Sequence, residues 1–140
     1  MLRRVLLLLP LVALAGCSRS GPPLPTAVPV KGRVLLPDGQ PLRQARVMFN
    51  PTGIPAIEAF ADLDANGAFS LQTYRPDDGA VPGEYKVTIS PYDYKSRTGS
   101  PTPTPGAGRI PRRYLDAGST DVTVKVEPAG NTGLEIRLKN

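Results

Sequence analysis

The sequence contains no histidine. That removes the commonest general base near neutral pH, and with it the Ser-His-Asp triad and most zinc sites. Cysteine occurs once, at Cys17, with no second thiol to pair with it. Long apolar runs are also missing. The stretch Val5 to Ala13, broken by Pro10, falls well short of the about 20 residues that cross a bilayer core. No segment shows the 3.6-residue apolar period of an amphipathic helix. The basic excess is small, 17 Lys and Arg against 12 Asp and Glu, and its residues are scattered, so nucleic acid is not an expected partner. With 140 residues there is room for one domain and not two.

What is present at the start is a processing signal. Met1-Leu2-Arg3-Arg4 is a basic opening, the apolar run follows, and Leu14-Ala15-Gly16 supplies small residues before Cys17. Leu14-Ala15-Gly16-Cys17 resembles the lipobox of bacterial lipoproteins. The resemblance implies that residues 1–16 are removed, that the Cys17 sulfur carries a diacylglyceryl group, and that its new amine is acylated. A membrane partner held through the N-terminal lipid is therefore expected. Each buried methylene contributes about 0.8 kcal/mol, so two or more chains hold stably where one does not. The competing reading is an ordinary secretory signal cut near Ala15. It leaves a lone thiol that invites intermolecular pairing in an oxidising compartment. Loss of Arg3 and Arg4 lowers the 17 basic residues by two, against 12 acidic ones, a balance of about +3. Ser18 stands where lipoproteins retained at the inner membrane resemble one another in carrying aspartate, which implies an outer-membrane address.

Residues 17–27 read as the lipidated cysteine and a flexible Pro/Gly/Ser-rich spacer, and 28–140 as the domain. From Val28 the apolar period is two. Val28, Val30, Gly32, Val34 and Leu36 form one face of a first strand, with Leu35 assigned to the other face. Ala45, Val47 and Phe49 mark a second strand, ended by Pro51, and Ile57 to Leu63 a third. The facing of the third is ambiguous, because Phe60 shares a side with Glu58 and Asp62. Asn66-Gly67 suits a hairpin turn. Phe69, Leu71 and Thr73 mark a fourth strand; Tyr85, Val87 and Ile89 a fifth; Val122, Val124 and Val126 a sixth; Leu134, Ile136 and Leu138 a seventh. Seven alternating strands predict two antiparallel sheets packed face to face. Residues 96–108 are rich in Pro and Thr and are expected to be a loop, mobile or functional.

Val30 to Val34, Pro37-Asp38-Gly39-Gln40-Pro41-Leu42, Ala45 to Val47, Ala61 to Phe69 and Pro82 to Val87 together resemble carboxypeptidase-regulatory-like, transthyretin-like β-sandwich domains. With Ile110 to Tyr114 they resemble the small bacterial lipoproteins that carry one such domain. The resemblance implies a seven-stranded antiparallel Greek-key β-sandwich, transthyretin-like or Ig-like. It implies no enzyme activity and no cofactor, and it names no ligand. Ala61 departs from the threonine usual there. The transthyretin-related hydrolases depend on histidines and a tyrosine-containing C-terminus, which this chain lacks.

The chemically suggestive residues have alternative readings. Asp62, Asp64, Asn66 and Gly67 begin like a calcium loop, but loop position 12 falls on Thr73 instead of glutamate, so a hairpin turn is expected and no metal. Asp77 and Asp78 are adjacent and point apart in an extended loop. Lys31, Glu84 and Asn140 are the parts available for an isopeptide bond, yet alternation points Lys31 outward. Arg112, Arg113 and Tyr114, near Arg109, are the densest basic-aromatic cluster. They read either as a contact patch for anionic headgroups or acidic glycan, or as a solvated loop whose tyrosine packs on the sandwich edge. Tyr92 and Tyr94, two apart, are a possible stacking platform for sugars. The expectation is a non-catalytic, lipid-anchored envelope module with a structural or binding role and an unknown envelope protein or glycan as partner. The alternative is a carbohydrate- or peptide-binding accessory lipoprotein.

Overall fold

The computed structural model describes residues 21–95 and 99–140; Cys17 and the signal expected at 1–16 lie outside them. The described residues form an all-β domain with nine strands in three sheets. β1 (Val30–Leu35) lies between β4 (Ala68–Ser70) and β9 (Asn131–Arg137). The second sheet runs β3-β2-β5-β8, comprising Ala59–Asp62, Arg46–Pro51, Gly83–Ser90 and Thr123–Val126. A small hairpin pairs β6 (Tyr92–Asp93) with β7 (Thr102–Pro103).

Two expectations need correction. The strands number nine and not seven, because β6 and β7 are two-residue pieces too short to show alternation. The pairing is also not wholly antiparallel: β1 and β9 run parallel, from Val30 opposite Asn131 to Leu35 opposite Arg137. The cause lies in the turn before β9. Gly130 takes φ +83° close to the Pro29 carbonyl, and the Asn131 N–H donates to that carbonyl at 3.0 Å. The chain thus enters β9 at the end where β1 begins. Alternation carries no information about strand direction.

Alternation does choose the core. Val30 and Val34, Val47 and Phe49, Phe69 and Leu71, Tyr85, Val87 and Ile89, and Ile136 and Leu138 belong to one buried cluster drawn from both main sheets. Phe49 joins the layers, its ring centroid 6.1 Å from that of Phe69 and 5.9 Å from that of Tyr85, both tilted. Burying one such ring contributes about 1.5–3 kcal/mol. Val122, Val124 and Leu134 are only partly buried. β3 turns Ala59, Ala61 and Leu63 inward and Phe60 and Asp62 outward. Leu35 breaks the pattern and is buried beside Leu36. The strand ends there, and the following segment folds back to pair Pro41 with Leu35.

The sandwich has two distinct ends. At the proximal end, where residues 21–29 lead into β1, lie the β2–β3 and β4–β5 connections and the β8–β9 turn. Val28 and Ala80 exchange both backbone hydrogen bonds there, at 2.8 and 3.0 Å. Gly79 (φ +95°) makes this possible, since a Cβ at that position would strike the Val28 carbonyl. At the distal end lie the β1–β2 connection, the β3–β4 hairpin, residues 91–95 and 99–122, and the last residues after β9.

Of the loop expected across 96–108, residues 96–98 lie outside the described residues, and the remainder is held to the domain at Thr104. Thr104 is buried, its N–H donates to the Pro91 carbonyl at 2.9 Å and its hydroxyl to the Arg43 carbonyl at 2.6 Å. Ala107–Arg109 forms a 3-10 turn. Pro103 is tolerated because β7 is an edge strand.

Candidate functional site

The distal end gathers the basic and aromatic residues singled out in the sequence. Arg112–Leu115 is a 3-10 helix starting after Pro111. It turns Tyr114 inward, 1% exposed, so the ring is a core residue and no ligand can reach it. The Tyr114 hydroxyl accepts the Lys139 N–H at 2.9 Å. Arg113 donates to the Lys139 and Asn140 carbonyls at 2.6 and 2.7 Å, and its guanidinium sits 5.2 Å from the Tyr114 ring centre. These two residues fasten the end of β9 and do not form a free contact patch. Arg112 is the exposed member of the three. Arg109 pairs with Asp38. That pair borders a cleft of about 650 Å³ lined also by Leu36, Pro37, Ile110 and Pro111.

Tyr92 lies in β6 and Tyr94 just after it. The Tyr94 ring lies 4.0 Å from the Arg46 guanidinium, whose other contact is the Phe60 ring at 4.5 Å. Arg46 is also held by both oxygens of Asp62, at 2.8 and 3.2 Å. The Tyr94 hydroxyl shares a 2.9 Å hydrogen bond with Ser90. Tyr94 is thus stacked on Arg46, and it and Tyr92 are each 42% exposed. The Phe60–Arg46–Tyr94 stack explains the outward phenylalanine, because a planar guanidinium covers an aromatic face and still reaches a carboxylate. Its sequence trace was that misplaced Phe60.

The carboxylates are engaged in backbone work. Asp64 accepts the Asn66 and Ala68 N–H groups at 2.8 and 2.9 Å, closing the hairpin through Gly67. Asp78 accepts three, from Thr73, Tyr74 and Arg75, at 2.7, 3.0 and 2.9 Å. Burial by itself raises the Asp78 carboxyl, but these N–H groups and the Arg75 charge outweigh it and hold the pKa below the usual value. Hydrogen bonds from Arg137 and then Arg33 likewise lower Glu135. Tyr85 is raised, first by burial and then by neighbouring Tyr74, and donates to the Val81 carbonyl at 2.6 Å. A groove of about 400 Å³ between β3 and β4 carries Asp62, Asp64, Asp77 and Lys95. Among the described residues no group of three or more acidic or sulfur side chains is placed to hold a metal ion.

The isopeptide arrangement is ruled out by register. Lys31 pairs opposite Thr132 at the start of β9, while Asn140 follows its far end. Sequence reasoning missed the Asp38–Arg109 pair, which joins residues far apart in the chain. It also missed the tip of the β2–β3 connection, where Ile54 is 100% exposed. Its one signal was an isoleucine set between Gly53 and Pro55 outside any alternation. No helix among the described residues is long and apolar enough to cross a membrane. No protein-family model, no curated protein and no solved structure matches the chain.

Proposed function

We propose that this chain is a bacterial lipoprotein anchored through Cys17, whose β-sandwich is a non-catalytic module of the cell envelope with a structural or binding role. The observation that carries the proposal is Leu14-Ala15-Gly16-Cys17 after a basic start and an apolar run too short to span, followed by a sandwich with one continuous core. The absence of histidine and the engagement of Asp62, Asp64 and Asp78 in pairing and turn closure support a role without catalysis. A Greek-key, transthyretin-like arrangement of the seven longer strands belongs to the same reading. The Tyr85 hydroxyl bonded to the Val81 carbonyl supports it, since a corner of this kind recurs at Greek-key crossings in immunoglobulin-like sandwiches. With Ser18 after the cysteine, the outer membrane is the favoured address.

Membrane fractionation of the full chain and its Cys17→Ala variant tests the anchor. The wild type sediments with membranes and the variant is released; a variant that stays membrane-bound sinks the proposal.

The distal cleft supports a second reading, a carbohydrate- or peptide-binding accessory lipoprotein. The Asp38–Arg109 pair at its border offers both a donor and an acceptor to a polar ligand. Titration with envelope oligosaccharides and short peptides, followed by NMR shifts at Leu36, Arg109 and Ile110, separates the readings. Shifts confined to these residues favour the accessory role, and their absence leaves the structural one.

A further inference from the structure

The proximal end carries exposed apolar side chains on rigid supports. Ile54 projects fully into water from the β2–β3 connection. The connection beneath it is braced, since the Thr52 N–H and hydroxyl both donate to the Glu84 carbonyl, at 3.0 and 3.2 Å, and the Ile57 N–H donates to the Pro55 carbonyl at 2.9 Å. Leu24 is 70% exposed, and Tyr74 is exposed in the β4–β5 connection. Leu24 and the residues up to Ala27 border one cleft of about 320 Å³ with Tyr74, Arg75 and Asp78. Ile54 borders another with Pro82, Gly83 and Tyr85. Single exposed apolar residues are ordinary. Tyr92, Tyr94 and Leu115 are also exposed, at the distal end. What sets the proximal three apart is that the spacer enters beside them and that Ile54 and Leu24 are the most exposed of the six.

We propose that this end is a membrane seat, with Ile54, Leu24 and Tyr74 resting in the headgroup region of the bilayer that holds the Cys17 lipid; the inference rests on the anchoring proposed above. The spacer sets the distance. Leu24 follows Cys17 by seven residues, which reach at most about 25 Å when extended and about 15 Å as a flexible chain. Pro25 to Ala27 already lie against the domain, so the proximal end is the part the lipid holds closest. The contact is apolar and not electrostatic. Glu58, Asp77, Asp78, Glu84 and Glu127 outnumber Lys31 and Arg75 there, and Lys125 is paired with Glu127 at 3.7 Å. A zwitterionic surface therefore suffices. Tyr74 suits such a boundary, its ring in the apolar layer and its hydroxyl in water.

Because Cys17 is the sole cysteine and would carry lipid, Ile54→Cys adds a single labelling site. The full lipidated chain bearing an environment-sensitive fluorophore at position 54 is placed in phosphatidylcholine vesicles containing a nitroxide-labelled phosphatidylcholine. A second protein with the label at Ala65→Cys, on the distal hairpin, is the reference. The expected result is a blue-shifted emission at 54 that the nitroxide lipid quenches, with neither effect at 65. Equal, water-like emission at both sites in vesicle-bound protein overturns the seat and leaves the anchor standing. Protein that never binds the vesicles and carries an unmodified Cys17 overturns both. Protection of position 54 from a water-soluble quencher without quenching by the nitroxide lipid also overturns the seat, since a protein surface, a second copy of this chain included, would then cover it.

Discussion

At the proximal end the turns are closed by backbone pairing, glycine geometry, one carboxylate and short-range side-chain bonds such as Thr73 to the Gly79 carbonyl and Tyr85 to the Val81 carbonyl, and Ile54 and Leu24 are left in water. At the distal end the described part of the long segment between β5 and β8 is held by side chains reaching back to distant carbonyls. Thr104 bonds Arg43, Thr120 bonds Val87 at 2.7 Å, Arg113 bonds Lys139 and Asn140, and Tyr114 takes the Lys139 N–H. The first mode fixes the frame of a surface and leaves its tips exposed. The second turns the side chains that look most suited to binding into fasteners. A basic or aromatic residue in an irregular segment is thus poor evidence of a contact site until its carbonyl partners are known.

The largest expected effect is at the distal end. Tyr114→Ala removes a buried ring and should cost about 3–5 kcal/mol in denaturant unfolding. Tyr114→Phe, which removes only the hydroxyl, should cost about 0.5–1.5 kcal/mol. Equal losses in the two variants would show that packing of the ring is irrelevant.

At the proximal end the sensitive position is Gly79. Gly79→Ala forces an L residue to positive φ, worth about 1–2 kcal/mol before the clash with Val28 is counted. Loss of the Val28 and Ala80 amide protection from hydrogen exchange is the local signature. Unchanged protection would contradict the closure described for this end.

Asp78 makes a smaller, pH-dependent contribution. Its folded pKa lies below its ordinary 3.8, so the unfolded chain binds more protons and stability is lost as pH falls. The contribution is complete above about pH 5 and disappears as acid reaches the folded value. Asp78→Asn should cost about 1 kcal/mol near neutral pH and flatten that part of the acid limb. An acid limb identical to that of the wild type would remove Asp78 from the account. The smallest effect is at Ile54, where Ile54→Ser should leave stability within about 0.5 kcal/mol. A larger loss would mean that the side chain packs against the domain.

Alternation made the core legible, because Val47, Phe49, Tyr85, Val87 and Ile89 follow a period of two that only a half-buried strand explains. The parallel β1–β9 pair was not legible, since direction is set by a four-residue turn and the Pro29 carbonyl that it meets. The burial of Thr104 was hidden for a similar reason. Thr104 reads as a loop residue, and its burial depends on Pro91 and Arg43, which are distant in sequence. The outward Phe60 was visible as an anomaly, and its partner Arg46 was not. At the candidate site the sequence located the cluster around Arg112 and Tyr114 but could not say which way Arg113 and Tyr114 face.

The central claim is that Cys17 is the residue on which location depends, and intact-mass analysis of the protein isolated from native membranes tests it most directly. The account predicts a chain beginning at Cys17, heavier than residues 17–140 by a diacylglyceryl group and an amide-linked acyl chain. A chain that retains Met1, or one that ends in a free Cys17 thiol without lipid, would contradict it.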